Sequence, residues 1–224
     1  MTLVKICGLR EPAHALAAAE AGADFIGLVF AKSRRRVTLD EARAIVHALG
    51  EPLAAAGGGA ESIEALLRRK RPLVVGVFTD ADAETINRTA EAVGLDLVQL
   101  SGDELWEMCG KLSRPVLKAI RVKDDTSAEE IIAALRPGAI PLLDTYAEDA
   151  LGGTGRPFDW SVAAAVARRF PIVLAGGLTP ENVGEAVRRV CPWAVDVSSG
   201  VETAGVKDVG KIRAFIAAAT RVAD

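Results

Sequence analysis

Short, continuous apolar runs alternate along the chain with longer amphipathic stretches. The runs fall at residues 3–7, 24–30, 73–78, 95–100, 116–120, 140–143, 172–174 and 194–197. Apolarity that does not alternate suits strands covered on both faces. The stretch after the first run, 11–21, reads as a helix. Thr38 with Glu41, Ser101 with Glu104 and Ser127 with Glu130 have the spacing of a capping box, which satisfies orphan N–H groups at a helix start. Thr179-Pro180 places a capping hydroxyl before a proline at the first helical position. Ala21-Gly22-Ala23-Asp24 and Val93-Gly94-Leu95-Asp96 both read as helix, glycine stop, strand, which suggests a repeated βα unit.

Eight such units in 224 residues leave about 28 residues for each, the length of a compact βα repeat. The pattern predicts a single-domain (β/α)8 TIM barrel of eight parallel strands over residues 1–224. An open doubly wound sheet is the rival. The chain has no obvious edge strand and no Gly-x-Gly-x-x-Gly after its first strand, and both absences favour closure. Gly57-Gly58-Gly59 reads as a flexible surface loop before the third strand, not a domain boundary.

Half the residues are hydrophobic, a quarter are charged and the net charge is −3, as expected of a protein with a substantial core. The basic runs Arg34-Arg35-Arg36 and Arg68-Arg69-Lys70-Arg71 have no interleaved aromatics, so no nucleic-acid partner is expected. No apolar stretch approaches the ~20 residues of a membrane span, so no membrane partner is expected either. Cys7, Cys109 and Cys191 are odd in number and far apart, which points to a reducing cytoplasm without disulfides. His14 and His47 are the only histidines and both lie in helical patterns, which leaves little to build a metal site from. The outer helices do not distinguish a monomer from a homodimer.

In a barrel the C-terminal ends of the strands converge on one mouth. Strand one brings Cys7 and Gly8 there, strand two Lys32 to Arg36, strand six Asp144, strand seven Gly176-Gly177, and strand eight Asp196 with Ser198-Ser199-Gly200. The glycine and serine loops leave backbone N–H groups open to an anion, and a short helix from Ser199 would point its positive end at it. The alternative is that these glycines only make tight turns. Asp144 follows apolar residues, so burial would favour its acid form; the plain alternative is a strand-end aspartate capping a loop. Cys7 is either a base helped by a nearby cation or a small buried hydrophobe. Together the two would flank a sugar whose phosphate sits on the two strands between them, an arrangement suited to proton-shifting isomerisation. Lys5 shares the parity of Cys7 and points inward, either to stabilise a thiolate or as a paired structural lysine. Arg35 could meet an aromatic carboxylate, or the three arginines could be a solvated face. Gly152-Gly153-Thr154-Gly155 reads as a mobile lid with Gly153 as a substrate contact, or as an ordinary loop.

These residues resemble the phosphoribosylanthranilate isomerases of tryptophan biosynthesis. The resemblance is carried, in order, by Val4-Lys5-Ile6-Cys7-Gly8, Ser33-Arg34-Arg35-Arg36-Val37, Val75-Gly76-Val77-Phe78, Val98-Gln99-Leu100, Leu142-Leu143-Asp144-Thr145, Gly152-Gly153-Thr154-Gly155, Gly176-Gly177-Leu178 and Asp196-Val197-Ser198-Ser199-Gly200-Val201-Glu202. It implies a barrel without cofactor or metal and an Amadori rearrangement of a phosphoribosyl substrate. By resemblance Asp144 is the general acid, Cys7 the general base at C2, Arg35 the holder of the anthranilate carboxylate and Asp196 a contact to sugar hydroxyls. Gly176, Gly177, Ser198, Ser199 and Gly200 would bind phosphate. The chain departs from the family at Ser101, usually histidine, and at Arg36, usually tyrosine. The competing readings are another sugar-phosphate isomerase on the same barrel and a non-catalytic phosphosugar-binding barrel.

Overall fold

The computed structural model describes residues 1–51, 53, 60–123, 125–144 and 160–221. Eight parallel strands close on themselves: β1 Leu3–Cys7, β2 Phe25–Val29, β3 Leu73–Phe78, β4 Leu97–Leu100, β5 Val116–Arg121, β6 Ala139–Asp144, β7 Val173–Ala175 and β8 Ala194–Val197. β8 pairs with β1 in a register that sets Asp196 opposite Lys5, and β1 pairs with β2 with Cys7 opposite Gly27. The expected barrel is present, and all eight apolar runs are its strands.

Alternate positions on each strand serve two different cores, which is why the runs are apolar throughout. Val4, Ile6, Ile26, Leu28, Val74, Val98, Leu143, Leu174, Val195 and Val197 face outward and pack with the helices. Phe25, Leu73, Val75, Leu97, Leu117, Ile140, Leu142, Val173, Ala175 and Ala194 fill the barrel. A third small cluster of Cys7, Val29 and Val77 lies on the inner side toward the strands' C-terminal ends. Lys5 and Cys7, Gln99, Asp144 and Asp196 have the inward parity of their strands.

The outer layer comprises α1 Pro12–Glu20, α2 Leu39–Leu49, α3 Ala60–Leu67, α4 Ala83–Val93, α5 Ala128–Ala134, α6 Ser161–Ala167, α7 Val183–Val190 and α8 Val209–Thr220. Capping boxes form at Thr38/Glu41 and Ser127/Glu130 as expected. The segment between the second helix and third strand also contains α3, and Gly57-Gly58-Gly59 lies outside the described residues. Two expectations need correction. Ser101/Glu104 is not a helix cap, because Lys118 draws the Glu104 carboxylate into a 3.0 Å ion pair that is almost fully buried. There Glu104 accepts the N–H groups of Asp80 and Gly102, and a 3₁₀ turn starts only at Trp106. Thr179-Pro180 does not open α7, which begins at Val183. The Asn182 side chain accepts the Thr179 N–H at 2.8 Å and donates to the Gly177 carbonyl at 3.0 Å, so the intervening residues form a turn.

The repeated glycine–aspartate sequence has a structural counterpart. Asp24 donates its N–H to the Val4 carbonyl at 2.9 Å and accepts the Val4 N–H at 2.8 Å on its side chain. Asp96 makes the same pair of bonds with Val74, at 2.9 and 2.8 Å. Each aspartate thus fastens the start of one strand to the strand before it, and adjacent cations neutralise them, Arg71 at Asp24 and Lys70 at Asp96.

Candidate active site

At the mouth, Cys7 ends β1 and is buried against Val29 and Val77. Its carbonyl accepts the Ser198 hydroxyl at 3.2 Å, and the amides of Gly8 and Leu9 both donate to the Gly27 carbonyl, so neighbours on both sides hold the strand tip. Beneath the thiol lies Lys5, with no solvent exposure, its ammonium 2.9 Å from Asp196 Oδ2. Burial pushes the Cys7 thiol above its ordinary range, while Lys5 pulls the other way. A cation is near the thiol, but desolvation outweighs it in the ligand-free protein. Burial alone would lower Lys5, yet Asp196 and Cys7 together raise it, so it stays an ammonium.

Asp196 is buried and its Oδ1 has no hydrogen-bond partner. Across the barrel on β4, Gln99 donates through Nε2 to Ser101 at 2.9 Å, and its Oε1 is likewise buried and unpartnered. A buried acceptor without a donor is costly, and two of them facing one interior suit a ligand that carries hydroxyl or N–H groups. Asp144, half-buried at the end of β6, lies two strands beyond β8 around the ring, with β7 between them.

Arg35 lies over Gly8, where a Cβ on the glycine would be only 2.5 Å from the arginine Cδ. Its Nε and Nη2 donate to the two oxygens of Glu202 at 2.6 and 3.0 Å. This side-on pairing leaves Nη1 without a hydrogen-bond partner among the described residues, so the end of the guanidinium stays available. Glu202 also pairs with Arg34 at 2.6 Å and with the buried Lys207 at 3.0 Å. Arg36 is exposed, as one solvated member of the trio was expected to be.

The two anion-binding candidates stand back to back. Gly176 and Gly177 turn the chain after β7 with φ of 89° and 63°. Ser199–Val201 forms a 3₁₀ turn after β8, and a Cβ on Gly200 would collide with the Leu178 carbonyl of the facing loop. The Ser198 hydroxyl is engaged with Cys7, so what this residue offers a ligand is its backbone. Gly153 and the rest of the glycine-rich segment lie outside the described residues. Among the described residues no cluster of His, Cys, Asp and Glu could hold a metal ion, and no helix is long and apolar enough to cross a membrane.

Two residues of this network were not singled out from the sequence. Glu202 appears only as the end of the strand-eight motif. Lys207 stands in a polar stretch, and nothing local marks it as buried; its partners are Glu202 and the Ser198 carbonyl, on which it donates at 2.7 Å.

Comparison with known proteins bears on the whole assembly. The sequence profile of the N-(5'phosphoribosyl)anthranilate (PRA) isomerase family matches residues 58–218. The N-(5'-phosphoribosyl)anthranilate isomerase of Roseiflexus castenholzii is 47% identical, covering 99% of both chains, and that of Dehalococcoides mccartyi is 43% identical over 96% of this chain and 94% of its own. The crystal structure of phosphoribosyl anthranilate isomerase from Thermotoga maritima superposes with a TM-score of 0.80 at 38% identity, covering 99% of this chain and 100% of that one. A related structure, a complex with reduced 1-(o-carboxyphenylamino)-1-deoxyribulose 5-phosphate, gives a TM-score of 0.78 at 37% identity over 99% of this chain and all of that one. With identity this high across nearly the full length, and the same barrel beneath it, the chain belongs to the N-(5'-phosphoribosyl)anthranilate isomerase family.

Proposed function

We propose that Cys7 and Asp144 divide the proton transfers by which this isomerase of tryptophan biosynthesis converts N-(5'-phosphoribosyl)anthranilate to 1-(2-carboxyphenylamino)-1-deoxyribulose 5-phosphate, with residues 1–224 acting as one catalytic domain. The observation that carries the reading is the pairing of an inward thiol on β1 with an inward carboxyl on β6, with the turns after β7 and β8 between them. A phosphate held by the backbone of Gly176, Gly177, Ser199 and Gly200 and the preceding Ser198 spans the sugar across the mouth.

Asp144 gives its proton to the ring oxygen as the C1–O bond breaks, leaving an open-chain iminium and a carboxylate. Cys7 as thiolate then takes the proton from C2. The C–H electron pair becomes the C1=C2 bond, and the C=N π pair moves to nitrogen, which gives a neutral enolamine. Protonation at C1 and loss of the O2 proton yield the ketone. Exchange with solvent returns the proton from Cys7 and restores that of Asp144. Arg35 receives the anthranilate carboxylate on its Nη1 end, Asp196 Oδ1 accepts from a sugar hydroxyl, and Gly153 contributes from the glycine-rich segment.

Asp144→Ala and Cys7→Ala are each expected to lower kcat by about 10²–10⁴-fold while the folded spectrum is retained. Wild-type turnover in either variant would remove that residue from its role. Ligand binding without turnover in the unmodified protein would instead favour the phosphosugar-binding barrel. The three free thiols fit a reducing cytoplasm. One Thermotoga relative is described as dimeric, so the choice between monomer and homodimer is a matter for light scattering.

A further inference from the structure

We propose that Lys5 is the positioning residue that holds Cys7 as a thiolate when the base acts, with Asp196 as its fixed counter-ion and Gly27 as the gap in which thiol and ammonium meet. The proposal rests on the reading of Cys7 as the general base and deepens it.

Three observations converge. First, the thiol and the ammonium meet at the same empty space: a Cβ built on Gly27 would lie 2.7 Å from Cys7 Sγ and 3.0 Å from Lys5 Nζ. The register that pairs Cys7 with Gly27 puts the glycine of β2, which has no side chain, beside them. Second, Lys5 is under-used as a structural ion. An ammonium has three donors; one goes to Asp196 at 2.9 Å, and the Cys7 thiol is within reach of another. Asp196 keeps an unpartnered Oδ1. A pair that served packing alone would gain nothing over apolar residues of similar volume, because both ions are desolvated. Third, the local charges do not balance without additional anions. Lys5 on β1, Lys207 after β8, and Arg34 and Arg35 after β2 outnumber the carboxyl groups of the mouth, Asp196 on β8, Glu202 after it and Asp144 at the end of β6. The surplus of positive charge accommodates a thiolate. Lys5 and Lys207 are the buried cations of this set, and Lys5, fully buried on the same strand as the thiol, pulls on it more strongly than Lys207 does. The upward pull of burial on Cys7 and the opposing pull of Lys5 have the signs this arrangement requires.

Lys5→Met removes the charge and keeps most of the volume. The thiolate of Cys7 is read by its ultraviolet absorbance during a pH titration, as the difference from Cys7→Ser. We expect the Cys7 titration to move up by about one pH unit or more. At neutral pH kcat should drop about ten-fold or more and recover as the pH is raised, with KM changed less than about three-fold. If removing Lys5 leaves an uncompensated Asp196 that prevents folding, Lys5→Met with Asp196→Asn takes away both charges. The titration should still move up there, by less, because the nearer cation is gone. An unmoved titration in the folded variant, or a loss of kcat equal at every pH, overturns the proposal. Wild-type kcat in Cys7→Ser would instead overturn the reading of Cys7 as base, and the titration does not depend on that result.

Discussion

Arg34, Arg35 and Lys207 converge on the one carboxylate of Glu202, whose side chain is 5% exposed. Burial alone would raise this carboxyl, but hydrogen bonds and charge from Arg35 and Lys207 take it down to about 2. A depressed folded-state value adds stability that is present above the ordinary carboxyl value of 4.5 and is lost as the pH falls toward about 2. The stability difference between the wild type and Glu202→Gln should therefore be largest near neutrality and shrink across that acid window, as read by urea denaturation at a series of pH values. Glu202 fixes Arg35 by the Nε/Nη2 edge, and in the proposed mechanism the Nη1 end is left for the substrate carboxylate. Glu202→Gln keeps the guanidinium charge and loses its fixed direction, so we expect KM to rise about ten-fold with kcat within about three-fold in steady-state assays. Arg35 was legible in the sequence because it sits in a dense basic run at a strand end. Its partner was not, because the pairing spans 167 residues and no local pattern encodes it.

At the level of elements, the two aspartate fasteners separate burial from hydrogen bonding. Asp96 and Lys70 are both buried, and Asp96 also accepts the Leu53 N–H. Asp24 is buried, but Arg71 is more than half exposed. Asp96→Ala leaves a buried ammonium unpaired and should cost about 3–5 kcal/mol, whereas Asp24→Ala loses mainly the acceptor for Val4 and should cost about 1–3 kcal/mol. Denaturant midpoints of the two variants test the order; equal losses would refute the account. The glycine–aspartate repeat was visible from composition, and the two hydrogen bonds behind it were not. The strands were legible because continuous apolarity has one structural meaning in a two-faced core. Helix starts were less so. Thr38 and Ser127 cap as their spacing implies, while the identical spacing at Ser101 is overruled by Lys118, a residue of β5 that claims Glu104. α3 was missed because the glycines before it drew attention to a loop.

For the molecule as a whole, the mouth is cationic on a chain of net charge −3. Arg34, Arg35 and Lys207 outnumber Glu202 and Asp144 there, and the substrate carries a phosphate and a carboxylate. Attraction of that kind is screened by salt. kcat/KM should therefore fall several-fold between roughly 10 mM and 0.5 M sodium chloride, with kcat changed less than about two-fold. Closure was legible from eight βα units averaging about 28 residues with no obvious edge strand, and with it the convergence of the strand tips. The closing contact itself was not, because Lys5 and Asp196 lie 191 residues apart and each alone reads as an ordinary strand residue. That separation matters on the ribosome. At roughly 5–20 residues per second, Lys5 is synthesised some ten to forty seconds before its counter-ion. Until then its ammonium must stay in water, so the first strand cannot settle into a dry core. An ammonium on β1 without its carboxylate thus penalises any barrel sealed before β8 arrives.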